Sequence, residues 1–312
     1  MESKALRDVF GEKLIEIGRG NDKVVVLDAD VSGSTKSALF GEVFPDRFFN
    51  VGIAEANMVS MAAGLAAVGL IPFVSTFSFL LTLRAADQMR TQIAYTKLPV
   101  KFAAGYGGLS DSFDGATHHA ICDLALARSL PNMTVMVPGD PIQTKALTQK
   151  AADLPGPVYL RLSRAEAPNI FSRDCQFEVG KGVVLAEGDQ GTIMATGTML
   201  TRVLQAASKL KSEGFNPRIV NIHTIKPIDQ NLIRDSAEKT GFIVTVEEHN
   251  ILGGFGSSVS EVLCQSNPVP QEMVGISDQF AESGPYDQLL DKYGLGVWNI
   301  IHAYKQGLAR VK

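Results

Sequence analysis

Four short segments place polar groups at or just beyond apolar runs, where ligands gather in open parallel sheets: LDADVSGST, VGIAEANM, GLSDSFDGATHH and YLRLSR. Glu55 is the most telling residue among them. It stands alone between the apolar VGIA and a stretch from Ala56 to Leu83 that contains no charge. The helix dipole favours a carboxylate at a helix start, which is reason enough for an acid there. A buried acid without a partner is costly, however, and buried acids often carry protons. Asp28 and Asp30 end an apolar strand, where aspartates mostly cap helices and shape turns. The hydroxyl-rich turn Ser32-Gly33-Ser34-Thr35 follows, and its backbone N–H groups can meet an anion.

His118 and His119 follow DGAT, with Asp114 just ahead of them. Neighbouring histidines point in different directions, so at most one faces a given site. HHxxC, ending at Cys122, contains metal-binding residue types, but no second ligand cluster lies at a suitable spacing, and no metal is expected on this chain. Arg161 and Arg164, on or just after the YLRLSR strand, either bind phosphate or lie on the surface.

These residues need a scaffold, and the sequence describes one. KVVVLDAD, IPFVSTFSF, LPVKFAAG, MTVMVPGD and GPVYLRLSR predict strands. The charged, helix-like N-terminus, VGIAEANMVSMAAGLAAVG after a short extended start, RAADQMRTQIAY and PIQTKALTQKAAD predict helices. Apolar strands alternating with helices indicate a parallel sheet covered on both faces. Residues 165–182 have weak periodicity and read as a linker. A second series follows: TIMATG, PRIVNIHTI and FIVTVEEHN as strands, MLTRVLQAASKLKSEG as an amphipathic helix ended by Gly214, PIDQNLIRDSAEKTG as a helix with Pro227 near its start, and GGFGSSVSEVLCQ as a Gly-rich turn into a helix. The expected fold is therefore α/β, two three-layer α/β/α domains with mainly parallel sheets, spanning residues 1–175 and 176–312.

Composition narrows the function classes. The 312 residues are 45% hydrophobic and 20% charged with a net charge of -4, an ordinary balance for a globular chain. Acids and bases are interspersed, so neither a nucleic-acid partner nor a polybasic membrane contact is expected. The Ala56–Leu83 run is long enough to raise a membrane span. Gly64, Gly69 and Pro72 break it into a helix, a turn and a strand, and no membrane association is expected. Three scattered cysteines and the absence of a signal peptide point to the cytoplasm.

The same segments, in this order, resemble the C-terminal half of transketolases. VGIAEANM, AAGLAAVG, PFVSTF, RAADQMR, DGATHH, PNMTVMVPGD and GPVYLRLSR resemble the family's pyrimidine-binding domain. HTIKPID, EEHNILGGFGSSVSEVL and the ESG at Glu282–Gly284 resemble the C-terminal domain that transketolases share with deoxyxylulose phosphate synthases and 2-oxoacid dehydrogenase beta subunits. The resemblance implies thiamine diphosphate as cofactor and transfer of a two-carbon ketol unit between phosphosugars. Glu55 matches the glutamate at N1′ of the aminopyrimidine, where a carboxyl favours the imino form that removes the C2 proton. Phe77 matches the aromatic on the pyrimidine, and Asp30 an aspartate near the cofactor. Asp114 and His118 match the pair that contact sugar hydroxyls, His118 also assisting proton movement. Arg7, Ser34 and Arg164 match positions that hold the substrate phosphate. Leu80 and Leu83 stand where full-length transketolases have further aromatics of the pyrimidine pocket. Tyr106 stands at a substrate-binding histidine, Phe113 at an acid and His119 at a glutamine. The cofactor pocket is thus expected to survive and the sugar pocket to be retuned.

Half of such a site is missing. The family binds Mg²⁺ and the diphosphate through a GDG motif and a later Asn, and no GDG occurs here. GDQG at Gly188 lies in the wrong domain. The resemblance therefore implies a partner, an N-terminal transketolase subunit that carries the metal, and a site formed at the interface, with self-association to α2β2. The alternatives are a subunit like deoxyxylulose phosphate synthase or the 2-oxoacid dehydrogenase beta chain, or a non-catalytic homologue.

Overall fold

The computed structural model describes residues 3–311. Two sheets dominate. The first has seven strands in the order Thr224–Lys226, Thr134–Met136, Val158–Arg161, Lys101–Gly105, Ile71–Phe77, Val24–Asp28 and Phe48–Asn50. All neighbours are parallel except Thr224–Lys226, which runs antiparallel along the edge. The second has five strands, ordered Gln271–Ile276, Ile243–Asn250, Thr192–Ala195, Arg218–Asn221 and Val183–Ala186, with the last antiparallel. Helices cover both sheets, and the fold is α/β. The central strands are mostly apolar and almost wholly buried because both faces are covered; VVVLD of Val24–Asp28 is buried at every position.

Local chemistry sets the element ends. Asp140 caps the helix Pro141–Asp153, accepting from Gln143 N at 2.7 Å, with proline at the first helical position. The helix Met199–Ser212 ends before Gly214, whose φ of +88° suits glycine. The helix Glu55–Ala67 is built largely from small residues, and Gly69 makes the left-handed turn into Ile71–Phe77.

Several expected boundaries shift. IPFVSTFSF is not strand to its end: a helix, Ser78–Arg84, begins directly after Phe77. Ser78 Oγ donates to Gly105 O at 2.8 Å and holds that corner. PRIVNIHTI is two strands rather than one. Arg218–Asn221 lies in the second sheet, whereas Thr224–Lys226 crosses to pair with Thr134–Met136 in the first. Pro227 lies outside its helix, which runs Gln230–Thr240 and is capped by Asp229. The stretch read as linker contains a short strand, Glu166–Pro168, antiparallel to Ser3–Ala5. Further helices outside the expected set include Ala38–Val43, Asp123–Ser129, Tyr286–Lys292 and Val297–Val311. No helix among the described residues is long and apolar enough to cross a membrane.

Candidate functional site

The carboxyl ends of Val24–Asp28, Ile71–Phe77, Lys101–Gly105 and Val158–Arg161 share one edge of the first sheet. Asp28 is fully buried and shapes the turn after its strand rather than capping a helix. Its Oδ1 accepts from Val31 N at 2.7 Å, and its Oδ2 accepts from Thr35 Oγ1 at 3.0 Å and Ser37 Oγ at 2.7 Å. Burial pushes its carboxyl up while these donors pull it down. Asp30 does not cap. It adopts a φ of +65°, is exposed, and accepts from Asn50 Nδ2 at 2.9 Å.

Tyr106 is the hub beyond the next strands. Its ring packs at a tilt on Phe77 with centroids 4.3 Å apart, and two guanidinium groups approach it, Arg7 at 5.4 Å and Arg164 at 5.3 Å from its centroid. Arg7 Nη1 donates to the Tyr106 hydroxyl and, at 2.9 Å, to Ser34 O. Leu80 joins Phe77 and Tyr106 in one apolar cluster, with Val31 and Phe79 against it. His118 rests on Phe79 at 5.1 Å, and Phe77 is 6.4 Å away. The structure thus brings Arg7, Ser34, Phe77, Leu80, Tyr106, His118 and Arg164 together. Asp114, exposed, lies on the same loop as His118.

Arg164 Nη1 also meets Asp111 Oδ1 at 3.3 Å. Asp111 is fully buried, and its Oδ2 has no hydrogen-bond partner. Burial, reinforced by the Asp114 carboxylate and opposed by Arg164, pushes the Asp111 carboxyl up to about 7. His119 turns inward, with both ring nitrogens buried and unpartnered, and burial pushes it down. The two histidines therefore differ as their adjacency requires.

Glu55 lies outside that cluster. It is the first residue of its helix and makes no capping bond, yet only 4% of it is exposed. Its Oε1 accepts from Arg84 Nη1 at 3.1 Å. The helix Ser78–Arg84 starts beside Phe77 and ends at this pair, so one short element serves both places. Leu83, on the same helix, is 61% exposed.

Arg161 does not face the pocket. It is buried against Asp123, with Nε–Oδ2 at 2.8 Å and Nη2–Oδ1 at 2.9 Å, and Tyr159 donates to the same carboxylate at 2.9 Å. Two site residues escaped the sequence reading: Arg84, the first charge after the long uncharged run, and Asp111, an acid inside a segment already singled out.

At the carboxyl edge of a parallel α/β sheet, the aromatic cluster of Phe77 and Tyr106, the arginines Arg7 and Arg164 and the buried carboxylate of Asp111 make one candidate site. Residues 2–169 match the transketolase pyrimidine-binding domain and residues 180–300 the transketolase C-terminal domain. The chain belongs to the transketolase family, as a C-terminal section. It is similar to a chain from Methanocaldococcus jannaschii provisionally named a transketolase C-terminal section, at 44% identity over 94% of this chain and 92% of that one. It is similar to a 6-deoxy-6-sulfo-D-fructose transketolase subunit from Clostridium sp., at 39% identity over 97% and 94%. Among solved structures, a split-gene transketolase described as an inactive beta4 tetramer is similar, with a TM-score of 0.90 and 47% identity, covering 99% of each chain.

Proposed function

We propose that this chain is one subunit of a thiamine diphosphate-dependent transketolase, moving a two-carbon ketol unit between phosphosugars and active only with a chain that binds the diphosphate and Mg²⁺. The observation that carries this reading is Glu55: a carboxylate almost wholly withdrawn from water, held through Oε1 by Arg84, with Oε2 making no bond among the described residues. That free oxygen suits the N1′ edge of an aminopyrimidine, and Phe77 and Leu80 offer it an apolar wall. When bound, thiamine diphosphate supplies the electron sink for breaking the carbon–carbon bond beside the ketone.

The chain's own residues do the rest. Glu55 holds and shares a proton at N1′, and Arg84 fixes the carboxylate's orientation. Phe77, Leu80 and Leu83 keep water from the pyrimidine, and Asp30 borders the cofactor. Arg7 and Arg164, spread over Tyr106, present N–H donors to a phosphate beside Ser34. Asp114 and His118 meet sugar hydroxyls, and His118 moves a proton to or from the carbonyl oxygen. The relative described as inactive as a beta4 tetramer supports dependence on a second chain. The relative named for a sulfosugar supports acidic sugars as the substrate class. Self-association within an α2β2 complex completes the proposal, with the cytoplasm as the compartment.

The experiment is reconstitution. The isolated chain should fold and transfer nothing, and ketol transfer should appear on adding a chain with the diphosphate-binding motif, thiamine diphosphate and Mg²⁺. Robust turnover by the isolated chain would end the half-site reading.

A further inference from the structure

Tyr106, Asp111, Asp114, His118 and His119 share one loop, between the strand Lys101–Gly105 and the helix Asp123–Ser129. Its neck is closed by two hydrogen bonds between Gly108 and Ala120, at 3.1 and 3.0 Å. Residues of the second domain then grip it at three points. Leu109 N donates to Glu248 Oε1 at 2.6 Å, Gly284 N donates to Ser112 O at 3.1 Å, and Asn250 N donates to Ile121 O at 2.9 Å.

Glu248 is the strongest of these grips. It is buried, and its second oxygen accepts from Tyr286 Oη at 2.7 Å and Thr198 Oγ1 at 3.4 Å. Its carbonyl accepts from Arg161 Nη2 at 3.1 Å, and the same nitrogen donates to Ala120 O at 2.8 Å. One glutamate therefore touches the neck directly through Leu109 and indirectly through Arg161. Gly108 is shaped for it: its φ is +67°, and a Cβ there would collide with Glu248 Oε1. Removing a carboxylate from water is expensive, and an apolar pair would give comparable stability at lower cost. This buried acceptor sits where the geometry of the loop is decided.

We propose that Glu248 is a positioning residue that locks residues 107–120 so that Asp114 and His118 are presented to the sugar, coupling the C-terminal domain to the substrate pocket. The proposal rests on the reading of this loop as the sugar-binding one. Misplacing a reacting group by about 1 Å can cost on the order of 100-fold in rate, so a lock this far from the chemistry has a measurable effect.

Two readouts decide it. The first is amide hydrogen exchange of the chain itself. In Glu248→Ala, residues 109–119 should exchange at least about tenfold faster, with the helix Leu6–Gly20 unchanged. The second is kinetics of the reconstituted complex. The phosphosugar KM should rise about tenfold in the same variant while C2 proton exchange of bound thiamine diphosphate is unaltered. Glu248→Gln keeps an acceptor for Leu109 N and should recover most of both values. Should the alanine variant not fold, Tyr286→Phe, which frees the far side of the carboxylate, should move both readouts the same way by less. Unchanged exchange across 109–119, or kcat and KM both at wild-type values, overturns the proposal. A wild-type complex without ketol transfer would refute the proposed function, and the exchange readout alone would then decide the lock.

Discussion

Asp111→Asn tests how the pocket handles a phosphate. In the wild type, Asp111 faces Arg164 at 3.3 Å, and burial with the nearby Asp114 lifts its carboxyl up to about 7. Below that pH Asp111 is neutral and Arg164 is free for phosphate. Above it, the carboxylate competes for the guanidinium and repels the incoming anion. Arg164 is 40% exposed, so the pair is screened and worth about 1 kcal/mol, or about fivefold in affinity. The phosphosugar KM of the reconstituted enzyme should therefore climb about fivefold across pH 7 relative to the asparagine variant. Titration of the phosphate itself affects both proteins and cancels in the ratio. Stability gives an independent check. A raised native pKa means that the folded chain keeps a proton the unfolded chain releases, so the native state loses stability as pH rises from 3.8 to about 7. Asparagine has no such loss, and the melting temperature of the variant should gain on wild type through that window and not above it. Parallel pH profiles of KM for the two proteins would refute the competition.

Arg164→Ala, and less strongly Arg7→Ala, should raise KM for phosphorylated sugars and leave activity on glycolaldehyde nearly unchanged, because a charged contact to phosphate is lost. Equal losses on both substrate types would make these arginines structural. Ile53, Val68 and Leu83 are exposed apolar side chains in and beside the uncharged run, and a two-fold interface over that face should give at least a dimer in sedimentation at micromolar concentration, alone and with the partner. A monomer in both samples would contradict it.

Much of the scaffold is legible because it follows from apolar runs. VVVLD and VYLR, rich in β-branched or aromatic residues and flanked by turn residues, read as buried strands, and the amphipathic stripe of Met199–Ser212 reads as a covering helix. Boundaries that depend on distant partners were not legible. Phe79 looks like strand until Ser78 turns to bond Gly105. Nothing local in PRIVNIHTI shows that the chain changes sheets between Asn221 and Thr224. The same distinction holds in the site. Glu55, Asp114 and His118 stand out by type and setting. Arg84 becomes a partner of Glu55 only when the helix after Phe77 brings it back across 29 residues. Asp111 looks like a turn residue until its burial beneath Arg164 is known. Glu248 reaches Leu109 across 139 residues, which no local pattern encodes.

Proton exchange at C2 of thiamine diphosphate bound in the reconstituted complex, compared between wild type and Glu55→Gln, tests the central claim most directly. Glutamine keeps the size of Glu55 and can still hydrogen-bond, but it cannot share a proton with N1′. The exposed half of the pair, Arg84, stays solvated, so stability should change by no more than about 1 kcal/mol. Exchange should slow by about 100- to 10,000-fold, the range for loss of a positioned acid–base group. A wild-type exchange rate in the glutamine variant, with the cofactor bound and the melting temperature preserved, would remove Glu55 from the chemistry and contradict a catalytic role for this chain.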